Sequence, residues 1–120
     1  MIFEPHHCIM IVDDEASIVS MLQDVMNLAG FKCQGYTDPQ KALTAFLQNP
    51  QAYKVMITDL TMPGMKGDEL ALAAGQANPH CKIILTSGYQ ADSLTANLKD
   101  FTLLQKPYHI EKLLALIRSF

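Results

Sequence analysis

No run of basic residues occurs in this chain, and its formal net charge is −3. That argues against a nucleic-acid surface, which needs a concentrated cationic face to neutralise phosphates. The densest basic grouping is only Lys106, His109, Lys112 and Arg118, scattered through the last segment. Long apolar runs are missing as well. Nothing approaches the roughly 20 residues that cross a bilayer as a helix, Asp13 interrupts the first hydrophobic run, and no positively charged leader precedes it. Neither a membrane span nor a secretory signal is expected. Cysteine is sparse. Cys8, Cys33 and Cys81 are odd in number and lack metal-ligand spacing, so they are read as buried free thiols of a reducing, cytoplasmic compartment. Linkers, internal repeats and low-complexity tracts are absent too.

What is present suits one compact domain over residues 1–120. Hydrophobic residues make up 49% and charged residues 18%, and a chain of this size buries roughly two-thirds of its unfolded surface without a disulfide staple. Short apolar runs alternate with longer amphipathic stretches, five times over. The predicted strands are 8–12, 32–37, 54–58, 82–87 and 101–105. The first, third and fourth are nearly continuous in apolar residues, as in strands covered on both faces. The predicted helices are 16–29, 39–48, 67–77, 91–98 and 109–119. Ile18, Leu22, Val25, Met26 and Ala29 line the first, which Gly30 stops. Asp38-Pro39 opens the second as N-cap and first helical residue, followed by Ala42, Leu43, Phe46 and Leu47 on one side. Ile110, Leu113, Leu114 and Ile117 line the last. Residues 1–6 are expected to fray. Strand–helix alternation predicts an α/β fold, a single doubly wound parallel sheet of order 2-1-3-4-5 with helices on both faces.

Chemistry sits where three of these runs stop. Ile9-Met10-Ile11-Val12 ends at Asp13-Asp14, Val55-Met56-Ile57-Thr58 ends at Asp59, and Phe101-Thr102-Leu103-Leu104-Gln105 ends at Lys106-Pro107. Parallel strands bring these ends to one sheet edge, with Asp13, Asp14 and Asp59 at the switch point between strands 1 and 3. Three carboxylates gathered there repel one another unless a hard cation joins them, which points to magnesium and phosphate chemistry. Each residue also has a structural reading. Asp14 could cap the first helix, Asp59 could open a turn toward Pro63-Gly64, and Lys106 could be a solvated charge at a strand end. His6, His7, His80 and His109 form no catalytic spacing and are read as surface histidines. The methionines at 10, 21, 26, 56, 62 and 65 are read as core or loop filler.

Four segments in order, Ile11-Val12-Asp13-Asp14-Glu15, Asp59-Leu60-Thr61-Met62-Pro63-Gly64-Met65-Lys66-Gly67, Leu85-Thr86-Ser87-Gly88-Tyr89 and Gln105-Lys106-Pro107-Tyr108, resemble the receiver domain of two-component response regulators over essentially the whole chain. The Ser-Gly-Tyr turn looks most like receivers of hybrid sensor histidine kinases or stand-alone modules. The resemblance implies a phosphoacceptor signalling domain, not an enzyme in its own right, in a phosphorelay. Asp59 would take a phosphoryl group from a phosphohistidine of a sensor histidine kinase or a histidine phosphotransfer domain, assisted by Mg2+. Asp14, Asp59 and the Thr61 carbonyl would ligate the metal, and Asp13 would act through a metal-bound water. Lys106 and Ser87 would grasp the phosphoryl oxygens. Thr86 competes with Ser87 for the hydroxyl role, since only one of two neighbours on a strand faces a given side, and the motif favours Ser87. The bond before Pro107 is expected to be cis.

Two other readings compete: a magnesium-dependent hydrolase with an aspartyl-phosphate intermediate, and a degenerate receiver acting only as a binding module. The hydrolase would place a second acid two residues after its nucleophile, where this chain has Thr61. The degenerate form is opposed by the intact Asp13, Asp14, Asp59 and Lys106 set. Leu103 stands where receivers usually carry a switch aromatic, and the span from Ser87 to Lys106 is a few residues short, so a short or irregular fourth helix is expected. No output module is read in these residues. Signal output is expected through the face of the fourth helix, fifth strand and fifth helix, including Leu94, Leu98 and parts of 108–118.

Overall fold

The computed structural model describes residues 3–88 and 101–120. Five strands form one parallel sheet: β1 (Cys8–Val12), β2 (Cys33–Tyr36), β3 (Tyr53–Asp59), β4 (Lys82–Ser87) and β5 (Phe101–Gln105), in the order β2-β1-β3-β4-β5. The helices of the described residues are α1 (Ala16–Leu28), α2 (Pro39–Gln48), α3 (Gly67–Ala77) and α4 (Ile110–Ser119), with a short 3-10 turn at Pro50–Ala52. Fold class, strand order and the boundaries of most elements agree with the sequence reading. The helix expected over 91–98, with Leu94 and Leu98, lies outside the described residues.

The sheet separates two apolar layers. Met10, Val12, Met56, Ile83 and Leu85 pack with Ala42, Phe46, Leu70 and Ala74 of α2 and α3. Ile9, Ile11, Val55, Ile57, Ile84 and Leu104 pack on the other face with Val19, Leu22 and Met26 of α1 and Leu113 and Ile117 of α4. Alternate residues of one strand thus serve opposite cores, which is why β1, β3 and β4 read as unbroken apolar runs.

Helix ends follow local chemistry. Asp38 accepts a hydrogen bond from the Gln40 N–H at 2.9 Å, with Pro39 next to it at the start of α2. Gly30 has φ +91° and closes α1, with the Phe31 N–H returning to the Met26 carbonyl at 2.9 Å. The helix faces are rotated from the expected ones. In α1 the line Val19–Leu22–Met26 is buried while Ile18 and Val25 flank it. In α2 Ala42 and Phe46 are buried, Leu43 is half-buried and Leu47 is exposed. Helical periodicity allows a stripe to turn by one position, and close contact with β2 selects Val19. A Cβ on Gly35 would run into Val19 Cγ1 and lie 2.8 Å from Gln23 Cδ.

The expected fraying does not hold for the described residues before β1. Phe3 rests on Phe31 with ring centroids 5.0 Å apart, and a turn closes through His7 N–H to the Glu4 carbonyl at 2.9 Å. Apolar contact outweighs the entropy of a loose end here. Cys8 and Cys81 are buried, Cys33 is half-buried, and all three are free thiols. Burial pushes the Cys81 thiol up to about 12, so it stays protonated and unreactive.

Candidate functional site

Register brings the chemistry together. Val12 pairs with Thr58 across β1 and β3, so the next residues, Asp13 and Asp59, end level. Asp59 pairs with Thr86, and Ser87 pairs with Gln105, the residue before Lys106. The ends are tied by the backbone: the Leu60 N–H donates to the Thr86 carbonyl at 2.8 Å, and the Lys106 N–H donates to the Ser87 carbonyl at 2.7 Å. Four loops therefore leave the sheet edge at one height.

Carboxylate oxygens of Asp13, Asp14 and Asp59 lie within 4.8 Å of one another. Asp13 is buried, Asp59 half-buried and Asp14 exposed. The Lys106 ammonium spans two of them, 3.3 Å from Asp13 Oδ2 and 3.4 Å from Asp59 Oδ1. Asp13 Oδ1 accepts from the Glu15 N–H at 2.9 Å, so each of its oxygens meets a donor. The Lys106–Pro107 bond is cis, as expected. Lys106 is a paired group, which removes its reading as a solvated charge. Asp14 does not cap α1: the N-cap is Glu15, without a side-chain hydrogen bond.

One ammonium sits among three carboxylates and pairs with two of them. Burial raises the Asp59 pKa; Lys106 pulls it down and Asp13 pushes it further up, leaving it raised from its ordinary value. Burial of Lys106 opposes its charge, but Asp59 and Asp13 outweigh that and raise its pKa. Burial also raises Tyr108, which senses Lys106, Asp13 and Asp59. A clustered set of hard oxygen donors with an uncompensated charge fits a divalent cation such as magnesium.

Ser87 and Thr86 are both buried. Alternation along β4 puts Ser87 in line with Ile83 and Leu85 on the α3 side, and Thr86 with Ile84 on the α1 and α4 side. Thr61 is exposed on the loop that follows Asp59. Leu103 is 37% exposed on β5.

Sequence reasoning missed the part played by Gly67. Its N–H donates to the Leu60 carbonyl at 2.8 Å. A Cβ there would strike the Asp59 carbonyl oxygen and come within 2.8 Å of Leu60 Cα. The start of α3 is thereby pressed against the backbone that carries Asp59. The glycine stood in the quoted motif, but only the close approach shows why no side chain fits. Asp68, fully buried beside it, was also passed over, because a charged residue in a first helical turn reads as a solvated one.

A family model, the response regulator receiver domain, matches residues 9–118. The chain belongs to the response regulator receiver domain family. This receiver is 32% identical over 107 residues to the chemotaxis protein CheY of Thermotoga maritima, covering 83% of this chain and 85% of that protein. It is 27% identical over 108 residues to the response regulator receiver protein CpdR of Brucella abortus, covering 88% of each. It also spans 23% of the length of the DNA-binding transcriptional regulator NtrC of Klebsiella pneumoniae, at 30% identity. Among solved structures, the response regulator TrrA of Thermotoga maritima in complex with Mg2+ and BeF shares the fold, with a TM-score of 0.83, 24% identity and coverage of 94% of this chain and 97% of that one. The receiver domain of the hybrid histidine kinase CckA does so with a TM-score of 0.81 and 24% identity, over 93% and 96% of the two chains. Receivers are signalling domains of two-component systems, and this one carries the acidic cluster. Among its described residues no helix is long and apolar enough to cross a membrane.

Proposed function

We propose that this receiver is a phosphoacceptor in a cytoplasmic phosphorelay, taking a phosphoryl group onto Asp59 from a phosphohistidine of a sensor histidine kinase or a histidine phosphotransfer domain. The observation that carries the reading is the convergence of Asp13, Asp14 and Asp59 with Lys106 at one sheet edge. The phosphorus–nitrogen bond breaks, a bond to an Asp59 carboxylate oxygen forms, and the imidazole leaves with its electron pair and takes up a proton.

A carboxylate attacks phosphorus poorly unless the charge that gathers is neutralised and the groups are held in line. Asp14, Asp59 and the Thr61 carbonyl would hold Mg2+. Asp13 would act through a metal-bound water, since donors already engage both of its oxygens. Magnesium, when bound, supplies positive charge to the phosphoryl oxygens. Lys106 supplies more through an ammonium already poised 3.4 Å from Asp59, and its pairing with Asp13 keeps it there. A group attached to Asp59 projects beyond the strand end. Ser87 follows the Asp59–Thr86 pair by one residue, so its hydroxyl suits that height better than Thr86 does. The free thiols support a reducing compartment. Thr61, in place of a second acid, speaks against a hydrolase.

The test is incubation with acetyl phosphate and magnesium, followed by intact mass. One added phosphoryl group is expected on the unaltered chain, and none on Asp59→Asn or on Asp14→Ala, which lacks a direct metal ligand. A phosphoryl gain that persists in Asp59→Asn overturns the assignment.

A further inference from the structure

Thr58 has no solvent exposure, although it stands one residue before the end of β3. Alternation along the strand puts its side chain on the side of Met56, in the layer under α2 and α3. Its pairing partners Val12 and Leu85 belong to the same layer. A hydroxyl in apolar surroundings is costly without an acceptor. Valine would fill the same space and suits a strand equally well, so the oxygen is the informative atom. It donates to the Asp59 carbonyl at 3.1 Å. That carbonyl belongs to the Asp59–Leu60 peptide, whose N–H donates to the Thr86 carbonyl of β4 at 2.8 Å. The peptide is trans, so its two polar groups point in opposite directions. The carbonyl therefore faces away from β4, past Val12–Thr58, the last pair of the β1–β3 ladder. Where the ladder stops, the Thr58 hydroxyl supplies the hydrogen bond. Gly67 closes another side: a Cβ there would strike the same carbonyl oxygen, and the Gly67 N–H holds the Leu60 carbonyl at 2.8 Å.

We infer that Thr58 is a positioning residue for Asp59: its hydroxyl, together with Thr86 and Gly67, fixes the peptide that follows the acceptor. The Asp59 Cα is the joint between two peptides. The one before it lies in the sheet ladder, and the one after it is held by these three contacts. With both planes fixed, the side chain leaves the backbone in one direction, the one that sets Oδ1 3.4 Å from the Lys106 ammonium. Attack on phosphorus tolerates little error here, since a misplacement of about 1 Å costs on the order of a hundredfold in rate. The inference rests on the phosphoacceptor reading of Asp59.

The experiment compares two variants of the full chain. Thr58→Val keeps the branched shape and loses the hydroxyl; Thr58→Ser keeps the hydroxyl and loses a methyl. The initial rate of acylphosphate formation is followed by intact mass with acetyl phosphate and saturating magnesium. Thr58→Val should slow it roughly tenfold, and Thr58→Ser should stay within about twofold of the unaltered rate. A second measurement needs no phosphoryl donor. Hydrogen exchange of the Leu60 amide, the other end of the same peptide, should be about fivefold faster in Thr58→Val, as for one lost hydrogen bond, and unaltered in Thr58→Ser. The Ile57 and Ile84 amides, inside the sheet, should exchange alike in the unaltered chain and Thr58→Val, whereas a general loss of stability would quicken them with Leu60. Three results would overturn the inference and leave the phosphoacceptor reading intact: an unaltered rate in Thr58→Val, equal slowing in both variants, or a Leu60 effect shared by Ile57 and Ile84. An unaltered chain that takes up no phosphoryl group would overturn both.

Discussion

Replacing the Asp59 carboxylate should make the metal-free protein more stable. Asp59 has carboxylates of Asp13 and Asp14 within 4.8 Å, and at an effective dielectric of about 20 each such pair repels by about 3.5 kcal/mol. Lys106 at 3.4 Å returns about 5 kcal/mol on the same scale. Asp14 is exposed, so its share is screened and must be discounted. Attraction by Lys106 then offsets the repulsion, and the desolvation of a half-buried charge, the largest influence on Asp59, tips the balance against the ionised form. Asp59→Asn keeps the shape and removes the charge, so it should stabilise the chain in EDTA at neutral pH by about 1–2 kcal/mol, or about 4–8 °C in Tm. The pH dependence has a definite sign. Because the folded pKa of Asp59 is raised, its protonated form favours folding, and that contribution is lost as pH rises through the folded value. The two proteins should be equally stable in acid, below the ordinary carboxylate range, and diverge as pH climbs toward neutrality. Millimolar magnesium should then stabilise the unaltered protein more than the variant. Urea denaturation followed by circular dichroism reads all of this. A variant less stable than the parent in EDTA, or a gain of equal size in acid, would refute the electrostatic account.

Two further outcomes follow from packing at either end of the sheet. Gly67→Ala should cost about 3 kcal/mol or more, because the new methyl meets backbone rather than a yielding side chain; acylphosphate formation should fall with it, and an unaltered melting curve would show that α3 can step back freely. Asn78 is buried, and its Nδ2 donates to the carbonyls of Pro50 at 2.9 Å and Tyr53 at 3.3 Å. Asn78→Asp would turn that donor into an acceptor facing two carbonyls, and should lower stability by about 2–4 kcal/mol while sparing phosphorylation at the opposite edge. A urea midpoint that does not move would refute it.

The architecture was legible because local and global signals agree. Apolar runs of strand length, amphipathic runs of helix length, the Asp38-Pro39 start of α2 and the Gly30 stop of α1 all name the same elements. The convergence of Asp13, Asp14, Asp59 and Lys106 was legible too, since in a parallel sheet the place where an apolar run stops is also a place in space. Helix faces were less so. Val19 took the buried position that Ile18 was expected to hold, because the rotation of α1 depends on the gap over Gly35, a contact between distant parts of the chain.

The sequence by itself determined which carboxylates would meet at the switch point and that an ammonium would join them, because strand order and polarity follow from hydrophobic pattern and handed crossovers. Only the tertiary structure decided how the charge is shared. It divides the Lys106 ammonium between Asp13 and Asp59, leaves Asp14 outward, seats Gly67 against the Asp59 backbone and buries Asp68 at the start of α3. Those outcomes depend on distances of a few ångströms between residues far apart in sequence, and charge and steric terms change sharply over such distances. Pattern along a chain sets which groups can meet; packing sets how closely they do.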